Sequence, residues 1–306
     1  MSQQSGRVVI CGGSGFLGRS LAREMQRRGH EVTLISRSAP TGVTAEWRSW
    51  DGRTPGPWSA ALEGAAAVIN LAGRSVNCRK TPDACDEIMR SRVDSVRVLG
   101  EVMRGLKLPP PVWIQMSTAH IHGDPPEVEI DESSSFGVGL APQVGRAWEE
   151  SFAAALLPDQ RGVVLRTTFV IGRDGGALPL MASLCRWGLG GAAAGGRQWI
   201  SWIHEDDLNR FICAAIAEEK WRGVYLLGSP FPERNAEFMA KLRSQLGRPW
   251  SPPVPEALIR FGARWIFHND PELLMYGRRC RPTRLLEGGF EFQFPRLEEA
   301  LCDLLP

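Results

Sequence analysis

Ser117, His120 and His122 stand close together in "STAHIHGD" (117–124), which completes the apolar run "PVWIQM". A hydroxyl at a strand end can orient a carbonyl or hydroxyl group. An imidazole, which titrates near ~6.5 when unperturbed, can move the accompanying proton without help from a lysine. In an extended strand His120 and His122 share one face while Ile121 turns inward, which would bring at least one imidazole near Ser117. The other reading is that the serine and histidines only satisfy hydrogen bonds at a strand end, and the residues leave both open. Asp124 adds a carboxylate, but two histidines and one acid lack a further ligand, so no metal is expected here.

A second group is the glycine set Gly12, Gly15 and Gly18 in "GGSGFLG". In such a set the first glycine lets the backbone turn tightly and the second lets backbone N–H groups approach a pyrophosphate. The third lets a helix pack closely while its positive end faces the anion. "SRS" (36–38) stands where an NAD-binding site would set an acid for the ribose hydroxyls. An acid would repel a 2′-phosphate, whereas Arg37 offers a permanent charge and a fixed fork of donors, with Ser36 as an added donor. The expected cofactor is therefore NADP(H). Asp51 in "SWDG" reads as a turn aspartate.

These groups need elements to hold them. "RVVIC" (7–11) has strand length, and Leu17, Leu21 and Met25 follow at helical spacing before "EVTLI" (31–35). "AAVINLAG" (66–73) and "PVWIQMS" (111–117) read as further strands, separated by the helical pattern of Met89, Val93, Val96, Leu99 and Met103. "GVVLRTTFVIG" (162–172) reads as a strand with its exit loop, followed by "DDLNRFICAAIAEE" as helix and "GVYLLGS" as strand. This alternation predicts an α/β fold, a Rossmann-type doubly wound parallel sheet. "GLGGAAAGG" (188–196) reads as a turn-rich loop over a ligand cleft, and from about 230 short helices and proline breaks suggest a small C-terminal cap.

The balance of 36 basic and 34 acidic residues gives no footprint for nucleic acid, so a small-molecule partner, one with an acidic group, is expected. Seven scattered cysteines without a CxxC pair predict a reducing, cytoplasmic setting. No run approaches the roughly 18 apolar residues of a membrane span. Oligomeric state is not legible.

"GGSGFLG", "SRVDSVRVL", "LRTTFVIGRDGGALPLM", "RWGLGGAAAGGRQWISWIHEDDL" and "RLLEGGFEFQFPRLEEAL" together resemble the epimerase-family proteins. These are an atypical branch of the extended short-chain dehydrogenase/reductases within the NAD-dependent epimerase/dehydratase superfamily. The resemblance implies a cofactor domain (1–172 and 200–229) and a substrate-binding cap (173–199 and 230–306). It places the pyrophosphate at Gly12, Gly15, Phe16 and Leu17, and the 2′-phosphate at Ser36 and Arg37. Leu71 and Ala72 of "NLAG" should line the nucleotide, Glu87 and Arg92 should face the cofactor, and Val170 should border the nicotinamide. A solvated helix face is the other reading of Glu87.

Superfamily chemistry uses a Tyr-x-x-x-Lys pair that this protein lacks. Its tyrosines, Tyr225 and Tyr276, are followed four residues on by Ser229 and Cys280, and Gln143 and Ala147 stand where the pair would fall. The expectation is an NADP(H)-dependent oxidoreductase or epimerase-like enzyme on a small carbonyl or hydroxyl substrate, with Ser117 orienting and His122, or His120 in its place, transferring the proton. The alternative is a non-catalytic NADP(H)-binding protein with a sensor or regulatory role. His204, Glu205, Asp206 and Asp207 in "WIHEDD" are expected at a strand-to-helix junction, capped by an aspartate, with no metal. Trp187, Trp199, Trp202, Arg186 and Arg197 read either as the lining of an acidic substrate's cleft or as packing residues.

Overall fold

The computed structural model describes residues 6–125, 127–248, 250–262 and 275–305. The first half runs β1 (Arg7–Cys11), α1 (Phe16–Arg27), β2 (Glu31–Ser36), β3 (Glu46–Ser49), β4 (Ala67–Asn70) and α2 (Pro82–Arg104). Next come β5 (Val112–Thr118), β6 (Glu129–Ile130), α3 (Leu140–Ala155), β7 (Arg161–Thr167) and β8 (Phe169–Ile171). They are followed by α4 (Leu178–Arg186), β9 (Trp199–Ile200), β10 (Trp202–His204), α5 (Glu205–Ala217) and β11 (Gly223–Leu227). The last part holds β12 (Glu233–Arg234), α6 (Asn235–Gln245), α7 (Glu256–Gly262), β13 (Arg279–Cys280) and two short helices over Thr283–Glu287 and Leu297–Leu304.

Seven strands form one parallel sheet in the order β11-β7-β5-β4-β1-β2-β3. Its interior strands are buried on both faces, which is why "VVIC" is a continuous apolar run and "VWIQM" departs from one only at Gln115, whose side chain is hydrogen-bonded to Asn70 and the Met116 carbonyl. The order reverses between β1 and β4, so a crevice opens beyond their carboxyl ends, the usual ligand position of a doubly wound sheet.

α3 packs against α2, β5 and the turn that follows β5. Val144, Trp148, Phe152 and Ala155 are its buried stripe, and Phe152 meets Trp113 of β5 edge-on at 5.0 Å, a pairing worth about 0.5–1.5 kcal/mol beyond burial. Gly145 lies against Ile121, where even a methyl group would come within 2.9 Å of the Ile121 Cβ. The helix therefore sits tightly on the turn that follows β5.

Two departures from the sequence expectation matter. The expected exit loop of "GVVLRTTFVIG" is itself a strand: β7 belongs to the large sheet, whereas β8 pairs with β10 in a separate two-stranded ribbon. "EWRS" forms an additional edge strand, exposed throughout, whose lack of any buried face left no hydrophobic pattern to read. A second core joins Ile171, Leu178, Cys185 and Trp202 to Phe238, Leu242, Leu297 and Leu301. Leu285, by contrast, packs into the core of the main sheet. No helix of the described residues is long and apolar enough to cross a membrane.

Candidate functional site

The turn between β1 and α1 leaves donors unused. Gly15 is the N-cap of α1, the helix has no capping side group, and its first turn carries no acid. The N–H groups of Phe16 and Leu17 thus have no acceptor within the helix and face the end of positive dipole. Gly12 adopts φ +83°, and a Cβ there would lie 2.9 Å from the Leu71 carbonyl carbon and 3.0 Å from the Ala72 nitrogen. Two strand ends converge at this point, so the expected cradle residues Gly12, Gly15, Phe16, Leu17, Leu71 and Ala72 are brought together. Gly18 closes the cradle from behind, since a Cβ there would lie 2.6 Å from the Gly13 Cα. Val170, on β8, is half-buried beside this crevice, where Gly172 and Gly175 of the same segment pack directly on the Phe16 ring.

At the end of β2, Arg37 is exposed and makes no ion pair or hydrogen bond among the described residues. The Ser36 hydroxyl differs from expectation. It is buried, donates to the Ser38 carbonyl at 2.8 Å and accepts from Trp47 Nε1 at 3.1 Å. Its proton is committed to shaping the turn that presents Arg37. Asp51 is the turn residue expected, accepting from the Arg53 and Thr54 N–H groups at 2.8 and 2.9 Å. Glu87 is ion-paired to Arg53 at 2.7 Å. Arg92 has no carboxylate partner among the described residues. Its Nη1 donates to the Ile88 and Arg74 carbonyls, its guanidinium lies over the Trp148 ring at 5.0 Å, and burial pushes its pKa down to about 10, which leaves it charged at neutral pH.

The histidine segment is a correction. Ala119–His122 forms a single 3-10 turn, so His120 and His122 do not share one face of an extended strand and point to different partners; Ile121 does turn inward and is fully buried. The Thr118 hydroxyl accepts from the His120 N–H, which starts the turn where a strand would otherwise continue.

Around Ser117 the structure assembles residues that sequence reasoning misses. Ser117 Oγ donates to Glu149 Oε1 of α3 at 2.6 Å. Glu149 in turn takes one edge of the Arg166 guanidinium with both its oxygens, Nε at 2.9 Å and Nη2 at 2.8 Å. Arg166 Nη1 donates to His122 Nε2 at 3.2 Å and to the Glu132 carbonyl at 3.0 Å. Burial, with Arg166 close by, holds the His122 imidazole below its ordinary range, against the Ser135 carbonyl 3.1 Å from Nδ1. One signal was available: Arg166 interrupts the buried run "VVLRTT", and a buried arginine demands an acid.

His120 meets a different arginine. Arg278 Nη2 donates to His120 Nδ1 at 3.1 Å and also pairs with Asp124, while its Nε donates to the Gly123 carbonyl at 3.0 Å. Burial, then the charges of Arg278 and Lys80, push His120 well below the ordinary imidazole range. With Nδ1 accepting, the ring proton sits on Nε2, which makes no hydrogen bond among the described residues.

At the start of α5 the capping residue is His204, not an aspartate: its Nδ1 accepts from the Asp206 N–H at 3.0 Å. Glu205 is buried and takes Ser20 Oγ and the Arg173 N–H, and buried Asp207 accepts from the Gln293 and Phe294 N–H groups at 2.6 and 2.9 Å. His204, Asp206 and Asp303 lie close enough to surround a cation. His204, however, accepts through Nδ1 and therefore holds its proton on Nε2, 3.4 Å from Asp303, so a metal there would have to displace that proton. Among the tryptophans, Trp202 is fully buried packing, Trp187 is exposed, and Trp199 is covered by Arg234 at 4.0 Å. Arg186 and Arg197 are exposed.

Comparisons with known proteins bear on the family and the fold. Residues 8–228 match the model of the NAD dependent epimerase/dehydratase family, and residues 254–304 match a domain of unknown function, DUF1731. The mouse epimerase family protein SDR39U1 is 34% identical over 98% of this chain and 99% of its own length. The Arabidopsis thaliana homolog, named as chloroplastic, is 29% identical over 96% of this chain and 85% of its own. The crystal structure of human SDR39U1 (isoform2) with NADPH superposes with a TM-score of 0.86 at 31% identity, covering 97% of this chain and 98% of that one. From the cradle, the parallel sheet and these matches over nearly its full length, the chain belongs to the NAD-dependent epimerase/dehydratase family.

Proposed function

We propose that the protein is an NADP(H)-dependent oxidoreductase or epimerase-like enzyme acting on a small carbonyl or hydroxyl compound without a Tyr-x-x-x-Lys pair. The observation that carries the cofactor choice is Arg37, a guanidinium without a partner at the end of β2. The NADPH-bound human relative supports it. The N–H groups beside Gly12, Gly15, Phe16 and Leu17 hold the pyrophosphate, and Leu71 and Ala72 line the nucleotide. Arg92 adds charge from α2, Glu87 acts at the nucleotide side through Arg53, and Val170 borders the nicotinamide.

The bound nicotinamide supplies the hydride donor or acceptor. The protein's own residues do the rest. Ser117 orients the reacting oxygen, and His120, whose Nε2–H is unspent, donates a hydrogen bond to it. His122 belongs to the site by fixing Arg166 rather than by giving up a proton. Residues 1–172 and 200–229 form the cofactor side, and 173–199 with 230–306 the substrate side, where Arg186 and Arg197 suit a compound with an acidic group. Seven free cysteines favour a reducing compartment, the cytoplasm.

A non-catalytic sensor of NADP(H) is the second reading, favoured by one observation: the Ser117 proton and both His122 nitrogens already have partners inside the protein. Calorimetry with NADPH and NADH, followed by a panel of carbonyls with NADPH and alcohols with NADP+, decides. Turnover supports the enzyme; tight NADPH binding with no turnover across the panel supports the sensor.

A further inference from the structure

We propose that Glu149 stands in for the missing tyrosine and lysine by accepting the substrate's proton through Ser117, and that the resting site accordingly takes an alcohol. This inference rests on the oxidoreductase reading. Glu149, bound through both its oxygens to the Nε/Nη2 edge of the Arg166 guanidinium, is a carboxylate and can only accept hydrogen bonds. The Ser117 hydroxyl, 2.6 Å from Glu149 Oε1, is therefore the donor, and its single proton is spent. What Ser117 offers a ligand is lone pairs. A ketone oxygen would meet them with lone pairs of its own, whereas a hydroxyl would donate into them.

The other proton carriers nearby are excluded by their bonds. His122 Nε2 accepts from Arg166, so the ring proton is on Nδ1, facing the Ser135 carbonyl. The open nitrogen of His120 is the protonated Nε2, a donor rather than a base. Glu149 is the group whose hydrogen-bond path ends at Ser117 and that gains a bond to hydrogen without first losing one. It also sits on α3, the helix that carries Gln143 and Ala147 in place of the absent pair.

The step balances as follows. The alcohol O–H proton passes to Ser117 Oγ while the Ser117 proton passes to Glu149 Oε1. The electron pair of the carbinol C–H bond leaves with its hydrogen as hydride to NADP+, and the C–O bond becomes C=O. The alcohol is oxidised, NADP+ is reduced to NADPH, and the proton on Glu149 is afterwards lost to water. Carbonyl reduction runs along the same path in reverse. Glu149 touches Ser117 and not the substrate, so it is a positioning residue.

The test uses the full-length protein with NADP+ and a panel of secondary alcohols, comparing wild type with Glu149→Gln and Glu149→Ala. Glutamine Oε1 still accepts from Ser117 Oγ and Arg166 Nε, but its amide N–H donors face Arg166 Nη2 where an acceptor stood, and it takes no proton. We expect kcat to fall ~10²–10⁴-fold, the usual scale of acid–base catalysis, with NADPH affinity by fluorescence unchanged and the unfolding midpoint of Glu149→Gln lowered, because buried Arg166 loses its charged partner. Formate and acetate should restore part of the turnover to Glu149→Ala and none to Glu149→Gln, with the rescued rate following the basicity of the added carboxylate, a dependence that re-pairing Arg166 alone would not produce. If Glu149→Ala does not fold, Ser117→Ala, which keeps the Glu149–Arg166 pair, should show the same loss of kcat. Wild-type turnover by Glu149→Gln, an unrescued loss in a folded Glu149→Ala protein, or full activity in Ser117→Ala each overturns the assignment while leaving the oxidoreductase reading intact. Absence of turnover by the wild type with any alcohol or carbonyl overturns both.

Discussion

Arg166 Nη1 lies 3.2 Å from His122 Nε2. An arginine only donates, so the imidazole must be neutral with its proton on Nδ1. A histidine read from sequence as a proton donor is thus tied into the support of a buried ion pair. His122→Ala should lower unfolding stability by about 1–3 kcal/mol through the hydrogen bonds left unmade. It should leave the shape of the pH–rate profile unchanged. Denaturant titration and pH–rate measurements check this, and a profile that loses an imidazole limb would restore His122 as the proton carrier.

Arg37, exposed at the end of β2, is the group we propose chooses between nicotinamide cofactors. Arg37→Asp should weaken NADPH binding about 10–100-fold, the scale of one or two charge-assisted hydrogen bonds, and leave NADH affinity unchanged or improved. Calorimetric titration with both nucleotides is the measurement. Equal losses for the two would show that Arg37 acts on folding rather than on the 2′-phosphate.

Asp207 ties the C-terminal segment to the main sheet by accepting the Gln293 and Phe294 N–H groups. Asp207→Ala strands both donors and should cost about 2–4 kcal/mol. Limited proteolysis should then cut within the C-terminal segment before the main sheet itself opens. Unaltered stability and cleavage would mean that the C-terminal segment is held by its apolar contacts alone.

His204 makes part of the stability depend on pH. Burial pushes its pKa down to about 4, against the opposing pull of Asp303 3.4 Å away. Because the folded value lies below the ordinary ~6.5, the unfolded state binds the extra proton between the two. The contribution is fully present above ~6.5 and lost as pH falls toward about 4. Asp206, raised to about 6 by burial and neighbouring acids, works in the opposite sense, so the effect is read as a difference between proteins. From about pH 7.5 to about pH 5, wild type should lose about 2 kcal/mol relative to His204→Gln. A difference independent of pH would contradict the burial argument.

Elements whose signals are local are legible in the sequence. Continuous apolar strands, a helix stripe such as Leu21 and Met25, and the glycine spacing from Gly12 to Gly18 each follow from a few neighbouring residues. They suffice for the sheet, the cradle and the choice of Arg37. Partners far apart in sequence are another matter. That Ser117 meets Glu149, that Arg166 is shared between Glu149 and His122, and that Arg278 reaches His120 across more than half the sequence depend on how α3, β7 and the C-terminal segment pack around β5. Nor does the sequence show that "TAHIH" leaves the strand in a 3-10 turn, because the Thr118 hydroxyl bond and the close approach of Gly145 on α3 decide that bend. Periodicity records which residues are buried, but the proton on Ser117 is assigned only by the acceptor that tertiary packing places 2.6 Å from it.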